Sequence, residues 1–374
     1  MATDSTSRSV STREVLCQVW NDFTDKEVQA GYTYTYIWMA NQVGHFTLGF
    51  LPTILASWLF RWFGCEPVDE GHSPPLLWFA LVSAAFWGVK EIRDVVRAKR
   101  GAAGHVFPVN VWDLWRNAGT AVYFFWTGIL VAVLGLFSGL LGLIVFVLLS
   151  AVAVLVPARY WLPRRLCFQR AHLPRVARLA DFTGQLSARP RRLSARNIES
   201  FLEAAKANRV DVPCHLLVFG EVGTGRTYLA VAIGTEHSFE VRRVRYLTWT
   251  KLLESAVSDP TSGVQDGALV WPWMSVDILI LDDMVDQSGT VGPELLEEKR
   301  KELRDLPDPA RNALRKQRVV WVFGSIEDGM PAPEEWIGLL RRELNMEPGR
   351  FGCIELEAPR QPRPKVTVAA VSGL

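Results

Sequence analysis

The sequence predicts a chain in two parts: an α-helical bundle of about four membrane-crossing segments, then an α/β domain on a mostly parallel sheet. Three observations lead there. Residues 119–157 are thirty-nine consecutive positions without Asp, Glu, Lys, Arg, His, Asn or Gln. Farther on, Gly220-Glu221-Val222-Gly223-Thr224-Gly225-Arg226-Thr227 is a glycine-rich loop set between an apolar run and an Ala/Leu-rich one. Finally, Val276-Asp277 leads into four apolar residues, Ile278 to Leu281, that end in Asp282 and Asp283.

At 374 residues the chain holds about two domains of ordinary size. Its apolar residues are concentrated in the first 160 positions, and the formal net charge of +2 gives no overall field that would attract a polyanion. Cys17, Cys65, Cys167, Cys214 and Cys353 are scattered, with no C-x-x-C, which excludes a disulfide framework and a zinc site of that pattern. Met1 to Arg13 is polar and no apolar stretch follows closely, against a cleaved secretory signal.

An uncharged run of this length would rise about 58 Å as one helix, roughly twice the hydrocarbon core of a bilayer. Two passes with a turn at Leu136-Phe137-Ser138-Gly139 are the economical solution. Val43 to Phe63 and Leu76 to Val89 are weaker candidates, and tryptophans near their ends suit the headgroup boundary. Lys90, Arg93, Arg97, Lys99, Arg100 and Arg116 lie between the second and third segments, whereas Glu66, Asp69 and Glu70 lie between the first and second. Excess Lys and Arg marks the cytoplasmic side, so both termini are expected in the cytoplasm of a multi-pass protein of the cell (inner) membrane. His45 lies within the first segment with no second acid or base at that depth, which favours a neutral, hydrogen-bonded histidine over a proton relay.

The expected organisation is a cytoplasmic segment at 1–34, the transmembrane module at 35–158 and a basic connector at 159–196. The α/β domain follows at 197–360, with a flexible tail at 361–374. The connector carries ten arginines interleaved with apolar residues and is expected to lie on the anionic leaflet. Pro163, Pro174 and Pro190 should break it into short pieces.

In the α/β domain, strand, glycine loop and helix occur in the order that a phosphate-binding loop requires. The glycines let amide groups converge on phosphate, and the helix N-terminus adds its dipole. Gly220 to Tyr228 are the expected nucleotide contacts. Thr227 and Asp282 are the expected Mg²⁺ ligands, and Asp283 the residue that orients or deprotonates water. Arg226 stands where lysine is usual; it keeps the charge but not the compact ammonium, so binding can survive while hydrolysis slows. Ser325 follows an apolar run at Val319 to Phe323, where it could sense a γ-phosphate. Arg350, with Arg341 and Arg342 as competitors, could reach a neighbouring subunit's nucleotide. The charged stretch from Pro293 to Gln317 is expected to form a solvated helix.

Gly223 to Ala230, Ala232-Ile233-Gly234, Val244 to Thr248 and Asp277 to Asp283 together resemble the AAA+ ATPases of the helicase-loader and transposition-helper (DnaC/IstB-like) group. The resemblance covers Asn197 to Pro359. It implies ATP and Mg²⁺ as cofactors and assembly into a homo-oligomeric ring or filament. The departures are Arg226, the membrane module and the expected lack of a C-terminal helical lid. The function these readings converge on is a membrane-anchored ATPase on the cytoplasmic face, acting on its membrane module or on a protein partner whose identity is unknown. A nucleotide-sensing scaffold with a degenerate loop is the alternative, and a membrane-tethered DNA-handling ATPase is less favoured.

Overall fold

The computed structural model describes residues 10–23, 34–64, 74–101, 107, 111–137, 139–182, 185–186, 195–206, 214–221, 223–265, 268–284, 292–323 and 331–357. The chain opens with five helices: α1 (Thr12–Phe23), α2 (Tyr34–Trp62), α3 (Pro74–Gly101), α4 (Val111–Phe137) and α5 (Gly139–Arg170). Then follow β1 (Gln185–Leu186), α6 (Ala195–Lys206), β2 (His215–Gly220), α7 (Arg226–Phe239), β3 (Val244–Thr248) and α8 (Trp249–Ser258). A short ribbon, β4 (Val264–Gln265) and β5 (Ala268–Leu269), precedes β6 (Ile278–Asp282), α9 (Gly292–Asp305) and α10 (Asp308–Lys316). The last elements are β7 (Arg318–Val322), α11 (Pro333–Glu343) and β8 (Phe351–Glu357).

Two compact units emerge. The first comprises Met1–Phe182, Val231–Tyr246 and Ser258–Leu279; the second comprises Thr183–Ala230, Leu247–Val257 and Ile280–Leu374.

Within the first unit, α4 packs against α2, α3 and α5. The α2–α4 crossing is set by two glycines: a Cβ at Gly49 would lie 2.1 Å from the Phe125 carbonyl oxygen, and one at Gly128 would lie 2.1 Å from that of Phe46. Small residues at such crossings let backbones approach closely. The Trp87 and Phe125 rings stack at 4.5 Å, and Trp126 Nε1 donates to the Ala84 carbonyl at 3.2 Å. His45 lies 3.3 Å from Asn41 Nδ2 and edge-on to Trp87, the local hydrogen-bonded arrangement expected of a neutral histidine.

Three helices are long and apolar enough to cross a bilayer: Trp38–Trp62, Pro74–Arg100 and Val111–Leu136. They leave Trp58, Trp78, Leu81 and Phe86 exposed, an apolar surface that water would disfavour. The fourth expected crossing begins α5, where several side chains lie outside the described residues. α4 ends at Phe137 and α5 begins at Gly139, and Ser138, within the expected turn, lies outside the described residues.

The connector departs from expectation. Helix α5 runs unbroken through Pro157 and Pro163 to Arg170, so the anticipated boundary at 158/159 falls inside a helix. Beyond it the chain packs on protein. Tyr246 N donates to the Ala171 carbonyl, Trp271 N to the Arg170 carbonyl, and the Arg170 and Arg243 guanidinia flank the Trp271 ring at 4.9 and 4.6 Å. Aromatic faces and carbonyls satisfy these arginines as well as lipid phosphate would, which charge counting does not distinguish. Burial pushes the Cys167 thiol up to about 12, so it is an inert core group.

The six-stranded sheet has the order β1-β8-β2-β7-β6-β3. In the second unit β2 pairs parallel with β7 and β8, and β1 closes the edge antiparallel to β8. All six residues of β2 and all five of β6 are buried, the continuous apolar pattern of strands covered on both faces. The charged stretch is two helices, α9 and α10, and it is not wholly solvated. Lys299 is 1% exposed and pairs with Glu302 at 2.9 Å, while Arg300 and Arg304 reach Glu343 of α11.

Candidate phosphate-binding site

The site lies at the C-terminal ends of β2, β7 and β6 within the second unit, where ligands gather in open parallel sheets. β2 ends at Gly220, whose backbone is in the region glycine favours, with φ +155°. A Cβ there would lie 2.6 Å from Thr224 Oγ1 and 3.0 Å from Leu356, so only glycine keeps this loop closed on itself. Gly223 and Gly225 take φ of +83° and +89°, again conformations that side chains resist. Thr224 folds the loop inward by donating its amide and hydroxyl to the Glu221 carbonyl. Helix α7 starts at Arg226, and the amides of its first turn have no preceding turn to bond to. Val222 lies outside the described residues.

β6 delivers the acids. Asp282 is 3% exposed and accepts the Asp283 amide at 2.9 Å. Asp283 is exposed and has a left-handed backbone with φ +53°, a conformation that costs a non-glycine residue about 1 kcal/mol or more and clusters at functional sites. The chain then turns back, with Met284 N donating to the Val322 carbonyl.

Arg226 joins the two halves. Its Nη1 donates to the Phe323 carbonyl at 2.5 Å, just past the end of β7. Burial pulls the guanidinium pKa below its ordinary value, and the Asp282 and Asp283 carboxylates oppose that shift. Phe323 is itself clamped: its ring stacks on Phe219 at 4.5 Å and lies 4.7 Å from Trp336. Sequence reading missed this carbonyl and the aromatic clamp, because a backbone acceptor carries no residue signature.

Of the two remaining expected residues, Arg350 is the one among the described residues. Ser325 lies outside the described residues. Arg350 sits at the start of β8, in a 3-10 turn whose carbonyl accepts from Cys214 N. His215 pairs with Phe351 and Gly220 with Leu356, so Arg350 stands about 17 Å along the strands from the glycine loop. Its charge acts instead on buried groups: burial and then Arg350 pull His215 down to about 3.

The cluster fits a triphosphate with magnesium. Positive-φ glycines, first-turn amides and a guanidinium suit phosphate, while the oxygens of Thr227 and Asp282 suit a hard cation. No group of three or more His, Cys, Asp or Glu gathers elsewhere among the described residues to hold a metal.

Fold and loop together define a P-loop α/β domain. Residues 163–289 match the family model described as IstB-like ATP binding protein, a range that takes in the glycine loop and both aspartates. This part of the chain is therefore similar to an IstB-like ATP-binding domain. Among solved structures, similar chains include a DNA replication initiation factor (20% identity, TM-score 0.27, 43% of this chain and 45% of that one). AMPPCP-bound DnaA from Aquifex aeolicus matches at 21% identity and TM-score 0.25, over 43% of this chain and 45% of that one. A proposed primosome component from Streptococcus pyogenes matches at 19% and TM-score 0.23, over 44% and 76%. The chain spans less than half the length of the first two. No curated protein matches it by sequence.

Proposed function

We propose that this protein is a membrane-anchored ATPase whose nucleotide site faces the cytoplasm. The observation that carries the nucleotide reading is the glycine loop closed on itself at the end of β2, with Arg226 on the helical turn that follows bonded to the chain just past β7. When bound, ATP with Mg²⁺ supplies the phosphoanhydride and the neutralising cation. The loop amides and Arg226 hold the phosphates, Thr227 and Asp282 hold the metal, and Asp283 orients water and accepts its proton. Three apolar helices with exposed aromatic surface support the anchoring. As proposed domains, the ranges 35–158 and 197–360 divide anchor from ATPase.

One helix supports coupling between them. Helix α7 carries Arg226 and Thr227 on its first turn and Phe239 on its last, about 20 Å away. Phe239 packs on Phe168 of α5 at 5.6 Å, with Arg165 and Arg178 over its ring. Glu236 takes a bidentate pair from Arg178 at 2.7 and 3.0 Å. A tilt of α7 on nucleotide binding therefore acts on the end of the last helix of the module. Calorimetry on the detergent-solubilised full chain tests the site, and absence of ATP and ADP binding refutes it. Hydrogen exchange over residues 159–170 tests the coupling: nucleotide should change it in the wild type, and not in Phe239→Ala.

A second reading is a nucleotide-sensing scaffold without turnover. It is favoured by the Arg226–Phe323 bond, which commits the guanidinium to a backbone carbonyl. Phosphate release from the assembled protein separates the two readings. Homo-oligomer assembly is part of the first reading, and light scattering in ATP checks it.

A further inference from the structure

Helices α4 and α5 line an open, mostly apolar cavity of about 440 Å³ that the nucleotide reading does not use. Its two ends differ in chemistry. At one end are Arg116, Thr120 and Tyr160; toward the uncharged stretch are Gly119, Tyr123 and Val156. Arg116 to Tyr123 spans about 10 Å along α4, the depth from a headgroup to the first acyl carbons.

The polar end is built. Arg116 Nη1 donates to Tyr160 Oη at 2.5 Å, and Tyr160 Oη donates to Asp113 Oδ1 at 3.0 Å. Arg164 lies over the Tyr160 ring at 3.5 Å and donates to the Tyr160 carbonyl, while the Arg116 guanidinium lies 4.4 Å from the centre of the same ring. Trp161 Nε1 is fixed on Thr120 Oγ1 at 3.0 Å, holding the two helices together behind the cavity. Arg116 is the charged side chain that lines this end, and it has no carboxylate ion pair among the described residues. Its guanidinium is thus oriented by an aromatic ring and left with donors to spare.

We propose that this cavity binds the headgroup phosphate of an anionic phospholipid, with the guanidinium of Arg116 on the phosphate and an acyl chain along Gly119, Tyr123 and Val156. The occupant follows from position and polarity: a cationic, aromatic-framed mouth continuous with an apolar wall, at the arginine-rich end of two bilayer-length helices, is the chemistry of a lipid site. It rests on the membrane reading above.

The test uses the full chain in neutral detergent, titrated with phosphatidylglycerol, phosphatidylcholine or inorganic phosphate, with bound lipid counted by native mass spectrometry. Phosphatidylglycerol should bind in preference to phosphatidylcholine, and Arg116→Gln should weaken it about tenfold, the loss expected for one charge-assisted hydrogen bond. A second variant leaves the charges in place. A Cβ at Gly119 meets nothing within 4 Å, so Gly119→Leu should fold and fill the cavity, and it should lower lipid occupancy with no change in ATP affinity. Equal binding of the two lipids, or unchanged phosphatidylglycerol binding in both variants, overturns the proposal. Displacement of the lipid by inorganic phosphate at matched concentration overturns it in favour of a free-anion site. Flotation with vesicles separates the premises: failure to float with any vesicle sinks the membrane reading itself, whereas floating without lipid preference sinks only the site.

Discussion

Replacing Arg226 separates the roles that this side chain combines. In the structure the guanidinium donates to the Phe323 carbonyl at 2.5 Å and lies in the field of two carboxylates. Arg226→Ala removes the only side-chain cation the loop itself carries and leaves the Phe323 carbonyl without that donor. A charge-assisted hydrogen bond contributes about 1.5–3 kcal/mol, so losing one to phosphate weakens ATP binding roughly 10- to 150-fold. The freed carbonyl and the uncompensated aspartates cost part of the apo-protein's stability as well, on the order of 1 kcal/mol. Arg226→Lys should behave differently. Its ammonium is compact and cannot fork between a carbonyl and a phosphate, so it should keep affinity within a few-fold and raise the rate of phosphate release. Titration calorimetry with ATP and Mg²⁺, paired with a phosphate-release assay on the full chain, reads both. If Arg226→Ala binds ATP as the wild type does, the assignment of the loop is wrong.

Asp283→Asn should abolish phosphate release while leaving ATP affinity within a few-fold; Asp283→Gly should be equally inactive yet more stable by up to about 1 kcal/mol, because glycine takes φ +53° without strain. Thermal denaturation beside the activity assay checks the opposed signs. In the bundle, Gly49→Leu and Gly128→Leu each drive a side chain into a backbone carbonyl, so both should lower the melting temperature in detergent by several degrees. Gly88→Ala, where a Cβ meets nothing within 4 Å, should not. His215 is held neutral by burial down to about 3 and accepts Trp321 Nε1 at 2.9 Å. Because its folded pKa is depressed, the stability it protects is complete above about 6.5 and is lost as pH falls from there toward 3. His215→Gln should flatten that limb of a denaturation-versus-pH curve.

The long apolar helices and the glycine loop were legible because each is a local pattern. An uncharged stretch needs no partner to declare itself, and Gly220, Gly223 and Gly225 are required by backbone dihedrals that nearby residues impose. Helix α1 was missed although its signal was present: Ser11 and Glu14 form a reciprocal cap, with Glu14 N on Ser11 Oγ at 3.2 Å and Ser11 N on Glu14 Oε2 at 2.8 Å. The connector was misread because Pro163 is a helix breaker by rule, whereas a packed helix tolerates proline when its neighbours restore the lost contacts. Arg350 was expected to reach a neighbouring subunit's nucleotide, and strand register places it about 17 Å from the glycine loop of its own chain.

Composition and spacing alone determined the long apolar helices, the glycine loop and the paired acids, since each is a pattern among residues close together in the chain. Tertiary structure decided which carbonyl restrains Arg226, where the far end of α7 presses on α5, and which arginines meet aromatic rings. Those contacts join residues up to a hundred positions apart, such as Arg226 and Phe323, and only the folding of the chain determines which of many equivalent cations and carbonyls become neighbours.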